Sequence, residues 1–129
     1  MWSLFNLASK LPSFISSTTD ANLETAYDLF ANGDEVDVSL MLTGSASTTV
    51  QGYVGNIAIS RKDCLTFVSP PKTAVVNNAG SEVDDITTWN TSLLATLGSP
   101  TNYVVADSGW KYQFDKYNNV YRWVPLNGD

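Results

Sequence analysis

The sequence predicts an α/β domain, a mainly parallel sheet flanked by helices, with an antiparallel β-hairpin at its C-terminal end. Three observations carry this reading. Stretches of helical and strand periodicity alternate along the chain, the order expected of parallel strands joined by helices. "CLTFVS", from Cys64 to Ser69, is a short, nearly continuous apolar run of the kind found in strands covered on both faces. Trp110, Tyr112 and Phe114 alternate with Lys111, Gln113 and Asp115 ahead of a turn, which is the period of a hairpin strand.

Asp20 or Asn22 is placed to cap a first helix, from about 22 to 31, with Leu23, Ala26, Tyr27 and Phe30 on one face and Asn32-Gly33 as its left-handed stop. Val36, Val38, Leu40 and Leu42 then alternate with Asp37, Ser39, Met41 and Thr43, predicting a strand whose apolar face is the Val and Leu side and which ends at Gly44. After a Ser/Thr-rich loop, Val50, Tyr53, Val54, Ile57 and Ala58 repeat at helical spacing, and Arg61 and Lys62 fall in the last turn, where cations favour the negative end of the helix dipole. Gly52 and Gly55 inside this helix either allow close packing or mark its frayed start. The run Cys64 to Ser69 follows as a buried strand, stopped by Pro70-Pro71. Ser81 and Asp84 form the S-x-x-D pattern of a capping box, opening a helix with Val83, Ile86, Trp89, Leu93 and Leu97 on one side before Gly98. "NYVVAD" reads as a third buried strand. In the hairpin, a turn at Lys116 to Asn119 leads into a second strand through Tyr121 and Trp123, extending or flanking the sheet.

Composition narrows the function. A chain of 129 residues, 43% hydrophobic and 16% charged, has enough apolar material for one folded domain. A net charge of -6, with seven scattered basic residues, excludes a nucleic-acid backbone as the expected partner. The single cysteine excludes an intrachain disulfide, and synthesis in the cytosol is expected. The start, "MWSLFNLASKLPSFISS", is apolar without a basic leader, and Lys10 and Pro12 interrupt it before it reaches the length of a signal core or a membrane span. Neither a cleaved signal nor a transmembrane helix is expected. Residues 1–20 read as an N-terminal arm packing on the domain or on a neighbour, and residues 21–129 as the α/β domain.

The chain has no histidine, which removes Ser-His-Asp and Cys-His catalysis and classical zinc sites. Cys64, after Arg61 and Lys62, invites the reading of a thiolate primed by cations, but at the start of a buried strand a thiol packs as a small hydrophobe. Asp84 and Asp85 belong to a helix N-terminus, whose dipole accounts for them without a cation. "TGSAS", from Thr43 to Ser47, has the position of a phosphate loop and lacks its pattern. The aromatic hairpin, a conceivable sugar platform through Trp110 or Trp123, reads more simply as a strand burying one face. No catalytic, cofactor-binding or metal-ligating residue is assigned.

Three strings then carry a resemblance: "YDLFANGDEVDVSLMLTG", "YVGNIAISRKDCLTFVSPP" and "WNTSLLATLGSPTNYVVADSGWKYQFDKYNNVYRWVPLNGD". In this order, over roughly Leu23 to Asp129, the chain resembles the core of contractile tail sheath proteins of T4-like bacteriophages. The resemblance implies a structural, non-enzymatic subunit of the virion, made in the host cytoplasm. Its partners would be other sheath subunits in hexameric rings of a helical tube, the tail tube, and the baseplate and tail terminator proteins, with no cofactor, nucleic acid or membrane. Contraction would drive the tube through the host envelope for genome delivery. It also implies a sheath core resembling a subtilisin-type sandwich, here truncated before the C-terminal region. The rival is an α/β ligand- or nucleotide-binding domain using the strand ends near Gly44, Pro70 and Gly109.

Overall fold

The computed structural model describes residues 18–128, so residues 1–17 of the expected N-terminal arm lie outside the described residues. Helix α1 (Asp20–Asp28) is capped by Thr19, whose side chain accepts the Asn22 N–H, and not by Asp20 or Asn22. It ends at Asp28, ahead of the expected stop: Asn32 instead accepts the Asp34 N–H in a following turn. Ala26 and Phe30 are exposed, and only Leu23 and Tyr27 reach the core.

Strand β1 (Leu40–Leu42) is shorter than its alternation predicted, because Val36 and Val38 precede it in irregular chain. Its inward residue is Met41, 4% exposed, whereas Leu40 and Leu42 are 58% and 48% exposed. The expected apolar face is therefore reversed. "LML" is apolar on both sides, so alternation alone could not choose which side meets the helices.

Helix α2 (Thr48–Arg61) starts at Ser47, whose hydroxyl accepts the Val50 N–H, and stops at Lys62 in the left-handed conformation. It is buried on nearly every side, with Val50, Gln51, Val54, Gly55, Ile57, Ala58 and Ile59 all inside. Strand β2 (Leu65–Val68) follows directly, then a single turn, α3 (Lys72–Val75). Helix α4 (Glu82–Thr96) begins without the expected capping box: the Ser81 side chain makes no cap bond. The Gly80 N–H is taken by Glu82 at 2.8 Å, and Asn78 donates to Asp85 at 2.8 Å. Trp89 and Leu93 are its buried residues, while Val83 is 77% exposed.

Strand β3 (Val104–Ala106) completes a parallel sheet in the order β1-β2-β3. With strands in sequential order and right-handed crossovers, both connecting helices fall on one face. Their contact agrees with this: a Cβ added to Gly52 would overlap the Thr96 hydroxyl, and one added to Gly55 would lie 2.6 Å from Leu97. The two glycines thus let α2 approach the end of α4 closely, the packing alternative of the sequence reading. Met41, Thr66 and Val68 point to the helices and are buried, while Leu40, Leu42, Leu65, Phe67 and Val105 occupy the other face. No described element covers that second face, so β2 and β3 are not buried on both sides as expected.

Strands β4 (Trp110–Asp115) and β5 (Val120–Pro125) form a separate antiparallel hairpin, followed by a 3-10 turn at Leu126–Gly128. The Asp115 carboxylate shapes its loop by accepting from the backbone N–H groups of Tyr117 and Asn118 and from the Asn118 side chain.

Candidate functional site

In an open parallel sheet, ligands bind beyond the carboxyl ends of the strands. Here those ends are Thr43-Gly44, Ser69-Pro70 and Asp107-Gly109, the three places expected of a binding domain. The fold brings them together, and the chain itself closes them. Gln51, 1% exposed on α2, donates its amide to the carbonyls of Ala46 (3.0 Å) and Ser69 (2.8 Å), and its oxygen accepts the Trp89 indole N–H at 3.0 Å. One side chain thereby joins the loop after β1, the end of β2 and helix α4.

The 3-10 turn fills the same crevice from the other side. Asn127, 5% exposed, donates its backbone N–H to the Ser69 hydroxyl at 3.0 Å and its side-chain amide to the Gly44 carbonyl at 2.7 Å. The Ser69 hydroxyl in turn donates to Asp107, whose second oxygen accepts the Gly109 N–H at 3.0 Å. Trp110 donates its indole N–H to the Pro70 carbonyl at 2.7 Å, anchoring the hairpin to the same rim. Among the described residues, every buried side-chain polar atom has a partner. The groups a ligand would have addressed are thus spent on one another.

Sequence reasoning missed Gln51 and Asn127. The signal for Gln51 was a lone amide between Val50 and Val54 in an otherwise apolar helix, where burial demands partners. Asn127 carried no comparable signal, since its partners lie 58 and 83 residues away in the chain.

The sequence-singled residues take structural places. Cys64 is 3% exposed and packs with Met41, Val50, Val54, Ile57 and Ala58, and burial pushes its thiol above the ordinary value. The Arg61 guanidinium, its side chain 2% exposed, donates to the carbonyls of Phe30 and Val36 and forms a two-pronged pair with Asp63 at 2.8 Å. Arg61 and Asp63 hold each other charged, the arginine raised and the carboxyl lowered from their usual values. Arg61 is therefore a clamp on the loop after α1, a role more specific than the dipole partner expected of it. Asp84 and Asp85 lie in the first turn of α4.

The hairpin departs from its expected role. Tyr112 pairs with Trp123 and Phe114 with Tyr121 across the strands, in ring contacts of 5.1 to 5.3 Å. This face is not buried: Tyr112, Phe114, Tyr121 and Trp123 are 58%, 48%, 57% and 38% exposed. The rings satisfy one another along the ladder while their outer surface stays open.

Fold and site together define a structural, interaction-type domain: an α/β unit whose ligand crevice is closed by its own chain and whose open surface carries apolar side chains. Comparison with known proteins agrees. No family model matches the chain. It is 37% identical over 126 aligned positions to the tail sheath protein of Enterobacteria phage T4, covering 88% of this chain and 19% of that protein. It is 38% identical over 122 positions to the tail sheath protein of Vibrio phage KVP40 and 32% over 107 to that of Salmonella phage ViI. The chain is thus related by sequence to bacteriophage tail sheath proteins over most of its own length, and it spans less than a fifth of theirs.

Proposed function

We propose that this chain is core material of a contractile tail sheath subunit, a non-catalytic virion protein that assembles with copies of itself around the tail tube and drives it through the host envelope on contraction. The observation carrying this is the 32–38% identity to tail sheath proteins along about four fifths of the chain or more. Two structural features support it. The closed strand-end crevice favours a rigid body over a ligand site, and the exposed aromatic ladder suits a surface meant to be covered in a polymer. Contraction on this reading exchanges contacts between rigid domains, with free energy supplied by remade interfaces. The finer reading extends residues 21–129 to a sheath core of the subtilisin-like sandwich type, with baseplate and tail terminator proteins as further partners.

The test replaces the matching segment of the phage T4 tail sheath protein with residues 18–128 of this chain and images the product by negative-stain electron microscopy. Hollow, striated tubes are expected. A folded chimera that never assembles, under conditions in which the parent sheath does, would overturn the proposal.

A further inference from the structure

Parallel sheets occur almost only with both faces covered, because their crossovers place helices on them and their strands are apolar on both sides. This sheet has one covered face. On the other, the register sets Leu40 beside Leu65 and aligns Leu42, Phe67 and Val105 across all three strands. Leu40, Leu42 and Val105 are 58%, 48% and 41% exposed, giving a contiguous aliphatic and aromatic patch with no charged side chain among its five residues. It continues past Leu42 into a groove of about 360 Å³ bounded by Val124 and Pro125 of the hairpin. The face is thus a sheet surface of core composition, unlike the ring ladder, whose members already pack on one another.

We propose that in the whole sheath subunit this face is covered in cis, by an amphipathic helical layer from the sheath polypeptide outside the segment matched here. This rests on the sheath reading above. The length of chain argues for it: the matched segment is 16–19% of each relative, so more than four fifths of a sheath polypeptide remains to supply a second layer. The chemistry of the face specifies the occupant. Leucine, phenylalanine and valine side chains on a twisted sheet are complemented by the apolar stripe of helices lying along it, whereas a solvated or charged partner would leave aliphatic surface unmatched. A cover within the subunit also keeps the sheet buried throughout contraction, when contacts between subunits are exchanged.

The experiment places a cysteine at position 42 (Leu42→Cys) in the 129-residue chain and in the T4 chimera, and measures its reaction rate with a maleimide. Cys64 is 3% exposed and stays silent in the folded protein. Fast labelling of the isolated chain and at least ten-fold slower labelling of the monomeric chimera are expected. Labelling that slows only when the chimera forms tubes would assign the face to a neighbouring subunit and overturn the proposal. So would protection already present in the isolated chain, whether relieved by deleting residues 1–17, which would make them the cover, or by dilution, which would make a second copy the cover. Leu42→Ser supplies an independent reading: unchanged or higher solubility in the isolated chain, and loss of folded chimera. Equal tolerance in both backgrounds contradicts a cover in cis. Absence of tubes from the unsubstituted chimera is the separate signature of a failed sheath reading.

Discussion

The Gln51–Trp89 bond is the most informative place to perturb the domain. Gln51→Met keeps the length of the side chain and removes its donors and acceptor. It strands the Trp89 indole N–H and the Ser69 carbonyl, both in buried bonds, and the Ala46 carbonyl in a partly buried one. A buried polar group left without a partner costs about 1–3 kcal/mol, so a loss of about 4 kcal/mol is expected for the substitution. Trp89→Phe strands the Gln51 oxygen and opens a small void, for a loss of about 2–3 kcal/mol. In the double variant neither half of the bond remains to be stranded. The combined loss should therefore fall short of the sum by about 1–2 kcal/mol, within the range measured for residues sharing one network. Urea unfolding followed by far-UV circular dichroism reads all four proteins, and a common denaturant slope keeps the comparison valid. Additivity of the two losses to within about 0.3–0.5 kcal/mol would refute the bond's role as a shared buried contact.

Three other outcomes are expected. Gly52→Ala gains up to about 1 kcal/mol of helix propensity but forces Cβ against Thr96, whose own Cβ would be 2.9 Å away; overpacking of about 1–3 kcal/mol should win, and a higher melting temperature would show that the helices separate freely. Hydrogen bonds from Asn118, then the Tyr117 backbone and Arg122, hold the Asp115 carboxyl below its ordinary value of 3.8. A depressed acid stabilises the hairpin above the unfolded pKa, and that contribution is lost as pH falls through the folded value. Amide exchange at Tyr117 and Asn118 should accelerate in that acid window, and Asp115→Asn should remove the transition; identical acid profiles would contradict the assignment. Cys64 should react with a thiol reagent on the order of a thousand-fold or more slower than in urea, because labelling awaits opening of the core, and rapid native labelling would revive a reactive role.

Local chemistry was legible where the signal is local. The apolar periodicity of Val50, Val54, Ile57 and Ala58, the stop at Pro70-Pro71 and the turn at Lys116 to Asn119 each depend on residues within a few positions of one another. They placed the second helix, the central strand and the hairpin. Caps were less legible, since Thr19, Asp20 and Asn22 are all competent and the difference is a matter of backbone angles.

By itself the sequence determined the class of fold, the lack of any histidine-based chemistry, the inert setting of Cys64 and the kinship with tail sheath proteins. These follow from composition, period and order, which are properties of the chain read along its length. Tertiary structure alone decided that Met41 faces inward and Leu42 outward, that the hairpin's rings stay open to solvent, and that Arg61 clamps a distant loop. It also decided that Gln51 and Asn127 close the crevice where a ligand would sit. The physical reason is common to all of these. A residue apolar or polar enough to be buried does not state which face will be covered or which carbonyl it will meet; that depends on where the crossovers set the helices and on segments brought together from far along the chain.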